Sequence, residues 1–114
     1  MNSNKKTHIF MHVDGRVWSV DWLIKASEGL DVIDFDLSTI SLNDPDFISW
    51  NFERVHDVIV HYKRIHNADL SIPIILRSDG VVMNGRHRII KALAEGIKTL
   101  PAKQFINDPE SDIC

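Results

Sequence analysis

Residues 72 to 77 read IPIILR, an apolar run interrupted only by a proline near its start and closed by an arginine. A run so short and so apolar has no polar side to offer to water. It predicts a central strand, with Pro73 near its start. With 114 residues there is material for one domain, and a domain of that size buries roughly two-thirds of its unfolded surface. The single cysteine, Cys114, excludes an intrachain disulfide and a Cys-based zinc site. No apolar stretch reaches the roughly 20 residues that span a bilayer, and none near the start is long enough for a signal peptide. The expectation is a cytoplasmic protein that is not membrane-bound.

The other elements follow from local pattern. Asp14-Gly15 between HIFMHV and RVWSV is a hairpin signal, because both central residues of a type I′ turn take positive φ. A two-residue turn there places Ile9, Met11, Val13, Trp18 and Val20 on one face. Ser19 reads as the N-cap of a helix over 20 to 28, with Trp18 and Leu23 spaced for a hydrophobic staple and Gly29 as the stop. DVIDFDL at 31 to 37 alternates Ile33, Phe35 and Leu37 against Val32, Asp34 and Asp36, the period of a half-buried strand. Asp44-Pro45 predicts a short helical turn through Ser49, and Asn51 caps a helix from Phe52 to about His66. Its apolar stripe is Phe52, Val55, Val58, Ile59, Tyr62 and Ile65, with Glu53, Arg54, Asp57, His61 and Arg64 opposite. Ser78-Asp79-Gly80 turns the chain into a strand at 81 to 83, a helix follows from Gly85 to Glu95 and stops at Gly96, and PAKQF at 101 to 105 is a last strand. The pattern predicts an α+β domain over 8 to 106, a sheet backed by helices. Residues 1 to 7 and the acidic segment 107 to 114 read as flexible tails.

The stretch from Asp79 to Gly96, DGVVMNGRHRIIKALAEG, carries the most chemistry. A strand passes through an Asn84-Gly85 corner into a helix whose first turn holds Arg86, His87 and Arg88. A helix N-terminus presents unpaired N–H groups and partial positive charge, and glycine lets a ligand approach the backbone. Two arginines and a histidine complete a compact phosphate-binding constellation. Ile89, Ile90 and Leu93 mark the buried side of this helix. Arg88 falls on its polar side, and Arg86 among the apolar positions, where its side chain projects over the helix mouth. A surface ion pair to one of the sixteen carboxylates is the competing reading, with equal claim on the residues alone.

These residues also carry a resemblance. PIILRSDGVVMNGRHRIIKALAEGIKTLPAKQF, from 73 to 105, resembles the core of the ParB/sulfiredoxin superfamily, where a strand, a DG turn, a Gly-x-[His/Arg]-Arg helix start and a closing strand recur. The upstream VDWLIKASEGLDVIDFDLSTI is similar to stand-alone ParB-like bacterial proteins. The resemblance implies a ParB/sulfiredoxin-like mixed sheet backed by helices, with a nucleotide- or phosphate-binding pocket formed by Asn84, Gly85, Arg86, His87 and Arg88. Nucleotide hydrolysis or phosphotransfer is the chemistry it implies, with a nucleoside triphosphate and magnesium as cofactor. Gly85, His87 and Arg88 match the motif; Arg86 does not. Sulfiredoxins carry the catalytic cysteine there and chromosome-partitioning ParB proteins a glutamate, so sulfinic-acid reduction is excluded. Asn84 stands where related stand-alone sequences often have aspartate. No general base is evident.

A net charge of −3 argues against stable DNA binding by this chain alone, and the helix-turn-helix that follows the domain in full ParB proteins is absent from it. No helix carries histidines four apart, and His8 and His12 form no evident pair, so no metal site is expected. Asp34 and Asp36 read as a solvated strand face, His56, Lys63 and His66 as edge positions of the long helix, and the three tryptophans as core or interface. The alternative function is a non-catalytic protein-interaction or accessory module of a plasmid, phage or chromosome-partitioning system, with a protein partner or a second copy as ligand.

Overall fold

The computed structural model describes residues 9–11, 15–40 and 54–112. The elements are β1 (Ile9–Met11), β2 (Val17–Ser19), α1 (Val20–Ala26), β3 (Ile33–Asp36), a 3-10 turn at Leu37–Thr39, α2 (Val55–His66), β4 (Ile74–Leu76), β5 (Val82–Asn84), α3 (Arg86–Ala94) and β6 (Thr99–Gln104). β1 and β2 form a separate hairpin, while the other strands make a mixed sheet in the order β3-β6-β4-β5. β4 runs parallel to β6, and the remaining neighbours in that sheet are antiparallel. The expected α+β class holds. No helix among the described residues is long and apolar enough to cross a membrane.

The IPIILR run does what its composition demands. Ile74 and Leu76 enter one apolar cluster with Val82, Ile89, Ala92, Leu100 and Ala102. Ile75, on the opposite face, joins Phe10, Trp18, Leu23, Met83 and Phe105. α3 thus covers one side of the sheet and the hairpin with α1 covers the other. Consecutive residues of β4 feed the two layers because strand side chains alternate. Gly80, at φ 91°, closes the turn between β4 and β5, its N–H donating to the Arg77 carbonyl at 3.0 Å. α3 ends in a Schellman arrangement: Gly96 (φ 75°) donates to Leu93 O at 3.2 Å and Ile97 to Ala92 O at 2.9 Å.

Several expectations need correction. The hairpin pairs Phe10 with Trp18 and Met11 with Val17, one position away from the pairing a two-residue Asp14-Gly15 turn imposes. A one-residue slip reverses every side chain. Phe10, which the expected face left out, therefore shares the covered side with Trp18, and both are fully buried. α1 is capped by the Ser19 side chain as expected, and Trp18 and Leu23 share a cluster. It stops at Ala26 with Ser27 as C-cap, and Gly29 is not in a left-handed conformation. α2 begins at Val55, where the Arg54 N–H donates to the Asp57 carboxylate at 3.1 Å. The expected cap at Asn51, the start at Phe52 and the Asp44-Pro45 turn lie outside the described residues. The apolar stripe of α2 largely faces outward: Val55, Val58, Ile59 and Tyr62 are exposed.

The acidic segment after β6, expected as a mobile tail, is bonded in place as far as Asp112. The indoles of Trp18 and Trp22 donate to the Pro109 and Glu110 carbonyls at 2.9 and 3.0 Å. Asp112 accepts from the Ser19 N–H at 2.8 Å and its hydroxyl at 2.5 Å, and Ser111 bonds the Val17 backbone. Asp108 accepts from Ser78 N at 2.8 Å and lies 3.6 Å from the buried Arg77 guanidinium. These side chains carry the partners that strand edge and helix start lack.

Candidate functional site

β5 is an edge strand and delivers Asn84, paired with Ile75, to the corner before α3. Gly85 makes that corner at φ 115°. A Cβ at this position would lie 2.8 Å from the Ile74 Cβ and 3.3 Å from the Arg88 Nη2. The fold alone thus requires glycine here, for its left-handed backbone and for the close approach of α3 to β4. Gly85 contributes no side-chain cap, and the first turn of α3 contains no acidic residue. Asn84 through Arg88 are all partly buried.

The five expected residues are adjacent at one corner, but their cationic side chains engage different parts of the molecule. The Arg86 guanidinium carbon lies 5.4 Å from the centre of the Phe10 ring, a cation–π contact with the hairpin. The His87 Nε2 is 3.1 Å from Nδ1 of His61 on α2. Arg88 Nη1 donates to the carbonyls of Ile72 and Pro73 at 2.6 and 2.8 Å. Arg88 is therefore not a solvent-facing residue of its helix: it ties α3 to the segment entering β4. Burial lowers its pKa, opposed by the charge of Asp69. Asp69 is itself held below the usual carboxylate range, chiefly by the Ser71 hydroxyl and then the Ser71 N–H, with Lys91 and Arg88 adding to the effect.

Other candidates resolve into structural roles. Asp34 and Asp36 are exposed, and Asp36 caps the 3-10 turn by accepting from Ser38 N at 2.9 Å, which lowers its pKa. His56, Lys63 and His66 are exposed, as edge positions should be. His61, read from its periodicity as part of the polar face, is the α2 residue that reaches the corner. The clue lay in its spacing: Asp57 and His61 stand one turn apart, and both are less exposed than Val55, Val58, Ile59 and Tyr62. An open cleft of about 650 Å³, bordered by Leu30, Asp31, Ile33, Ser78, Gln104 and Phe105, includes none of Asn84 to Arg88 in its lining.

The donor set decides which implied ligands fit. A turn of cations without a carboxylate suits a phosphate anion. It does not suit a protein-held magnesium ion, which takes oxygen ligands. Among the described residues, no group of three or more His, Cys, Asp or Glu side chains comes together to hold a metal ion. Comparison with protein-family models, with curated proteins and with solved structures finds no match.

Proposed function

We propose that this chain is a phosphate- or nucleotide-binding domain of ParB/sulfiredoxin-like type, its ligand seated at the Gly85 corner. The observation that supports this reading is the opening turn of α3, where N–H groups without a side-chain cap from Gly85 stand beside Arg86 and His87 with no carboxylate in the turn. Backbone dipole and side-chain charge there have the same sign, which favours an anion. Arg88 acts as a positioning residue that fixes the turn against Ile72 and Pro73. Because the turn lacks a carboxylate, the proposal is binding, with no hydrolytic step. Stable duplex-DNA binding is no part of it at a net charge of −3.

The test is calorimetric titration with inorganic phosphate, ATP and CTP, each with and without magnesium. Wild type should bind a nucleotide with little magnesium dependence. Arg86→Ala should weaken binding by about 1.5–3 kcal/mol, or roughly ten- to hundredfold. Absence of binding to every anion at millimolar concentration removes the reading. The second reading, a protein-interaction module, is supported by a different observation: the outward apolar residues Val55, Val58, Ile59 and Tyr62 of α2.

A further inference from the structure

Helix α2 has no buried residue, so polar contacts figure heavily in what holds it. At its C-terminal end, Lys91 of α3 donates to the carbonyls of His66 and Ala68 at 2.8 and 3.0 Å. More than a turn earlier, His61 Nδ1 meets His87 Nε2 at 3.1 Å. The ring centres are 5.4 Å apart and the ring planes differ by 20°. That centre-to-centre separation matches the N···N distance plus one ring radius at each end. The rings thus meet tip to tip, with a lone pair aimed along an N–H, as in a straight hydrogen bond. Two imidazoles chelating one ion would direct both lone pairs to a third point instead.

A tip-to-tip pair has a simple proton count. The neutral pair holds one N–H between the facing nitrogens. A singly protonated pair keeps the bond, the imidazolium donating to its neutral neighbour. Two protonated rings set donor against donor and charge against charge. We infer that the His61–His87 bridge is a proton-operated latch, holding α2 on the first turn of α3 at neutral pH and releasing it when both rings are protonated.

The surrounding charges set its range. On α2, Asp57 one turn before His61 favours protonation, while burial first and then Arg64 hold the His61 pKa below its ordinary value. On α3, Arg86 and Arg88 flank His87 in sequence and Lys91 follows a turn later. Since the folded-state pKa is lowered, the latch contributes fully above the unfolded value of about 6.5 and is lost as pH falls through the lower folded value. Lys91, bonded to the His66 and Ala68 carbonyls, keeps the C-terminal end anchored, so opening starts from the other end of α2. The latch rests on the ring geometry and does not depend on the anion reading.

Hydrogen exchange of the full chain between about pH 7.5 and 5, corrected for intrinsic exchange, tests it directly. Exchange of α2 amides should rise below about pH 6.5, by up to about tenfold per pH unit for each proton taken up, while β4 and β6 amides keep their protection. His61→Gln, which cannot take up the second proton, should give a pH-independent profile. Flat wild-type protection of α2 overturns the latch, as does equal pH dependence in H61Q. NMR titration of wild type decides independently of any variant. The two rings should titrate in coupled steps with one below the usual histidine range, and independent titration of both at about 6.5 overturns the inference.

Discussion

Helices α2 and α3 carry apolar stripes of the same period and lie in opposite surroundings. In α3 the side turned to the core is centred on Ile89 and Ala92, both fully buried, with Ile90 partly buried, whereas Leu93, expected on that side, is 37% exposed. In α2 the stripe faces out, Val55 being 76% and Tyr62 63% exposed. α3 is short and joined at once to a sheet strand at one end and, after a brief turn, at the other, through Gly85 and Gly96. Those connections leave its apolar face nowhere to land but the sheet. α2 is separated from β4 by residues 67–73 and packs on α3, with Asp57 and His61 less exposed than Val55, Val58, Ile59 and Tyr62. Periodicity marks an apolar face; the connections decide what that face meets.

Breaking the tether of α3 should have the largest effect. Gly85→Ala forces a side chain into a backbone at φ 115° and against Ile74, and should cost about 2–5 kcal/mol from strain and overpacking together. Urea unfolding measures it, and a loss below about 0.5 kcal/mol contradicts the packing account. Arg88→Ala comes next. Removing the donor to two carbonyls should lower stability by about 1.5–3 kcal/mol, with Arg88→Lys restoring only part. The same unfolding curves read it; a neutral result places the Arg88 contacts outside the folding energetics.

The polar attachment of α2 should be weaker. Lys91→Met removes the contacts to His66 and Ala68, and about 0.5–1.5 kcal/mol is expected. Amide exchange should rise in α2 far more than in the sheet; a uniform rise would show that the two helices open together. The smallest effect belongs to the outward stripe. Ile59→Gln should change stability by no more than about 0.5 kcal/mol, and a larger loss in thermal unfolding would show that the stripe of α2 is covered in the folded protein.

The sheet was legible because its signals are local and redundant. IPIILR has one environment that suits it, and Gly80, Gly85 and Gly96 each occupy a left-handed backbone where the chain turns. The hairpin register was not legible. Asp14-Gly15 names a turn, but the observed pairing of Phe10 with Trp18 needs a longer loop, and one residue of difference inverts the face. At the site, composition located the corner and misassigned Arg88, because helical periodicity places a residue around its own axis and knows nothing of a neighbouring carbonyl. His61 escaped for a related reason: its partner lies 26 residues away. Asp108, Ser111 and Asp112 read as a solvated tail since their small polar side chains carry no hydrophobic signal. Their partners, Ser78 and Arg77 after β4 for Asp108 and Val17 and Ser19 of β2 for Ser111 and Asp112, can be found only in three dimensions.

That last segment also bears on the order of events during synthesis. The Ser19 side chain caps α1, and its N–H and hydroxyl donate to Asp112, 93 positions later; the indole of Trp18 waits on Pro109, 91 positions later. The hairpin and α1 are made early and completed late. Closing so long a loop costs chain entropy before any contact compensates it, which slows folding and leaves the early elements incomplete meanwhile. Refolding followed by tryptophan fluorescence should therefore show Trp18 and Trp22 reaching their native signal only with the final closure, and protonating Asp112 should undo that closure first. Its pKa is lowered chiefly by the Ser19 hydroxyl, so the contact holds above about pH 4 and is lost as acid titrates the carboxylate through its lowered value. The hairpin and α1 are in this sense clients of residues made 91 and 93 positions after the ones they complete.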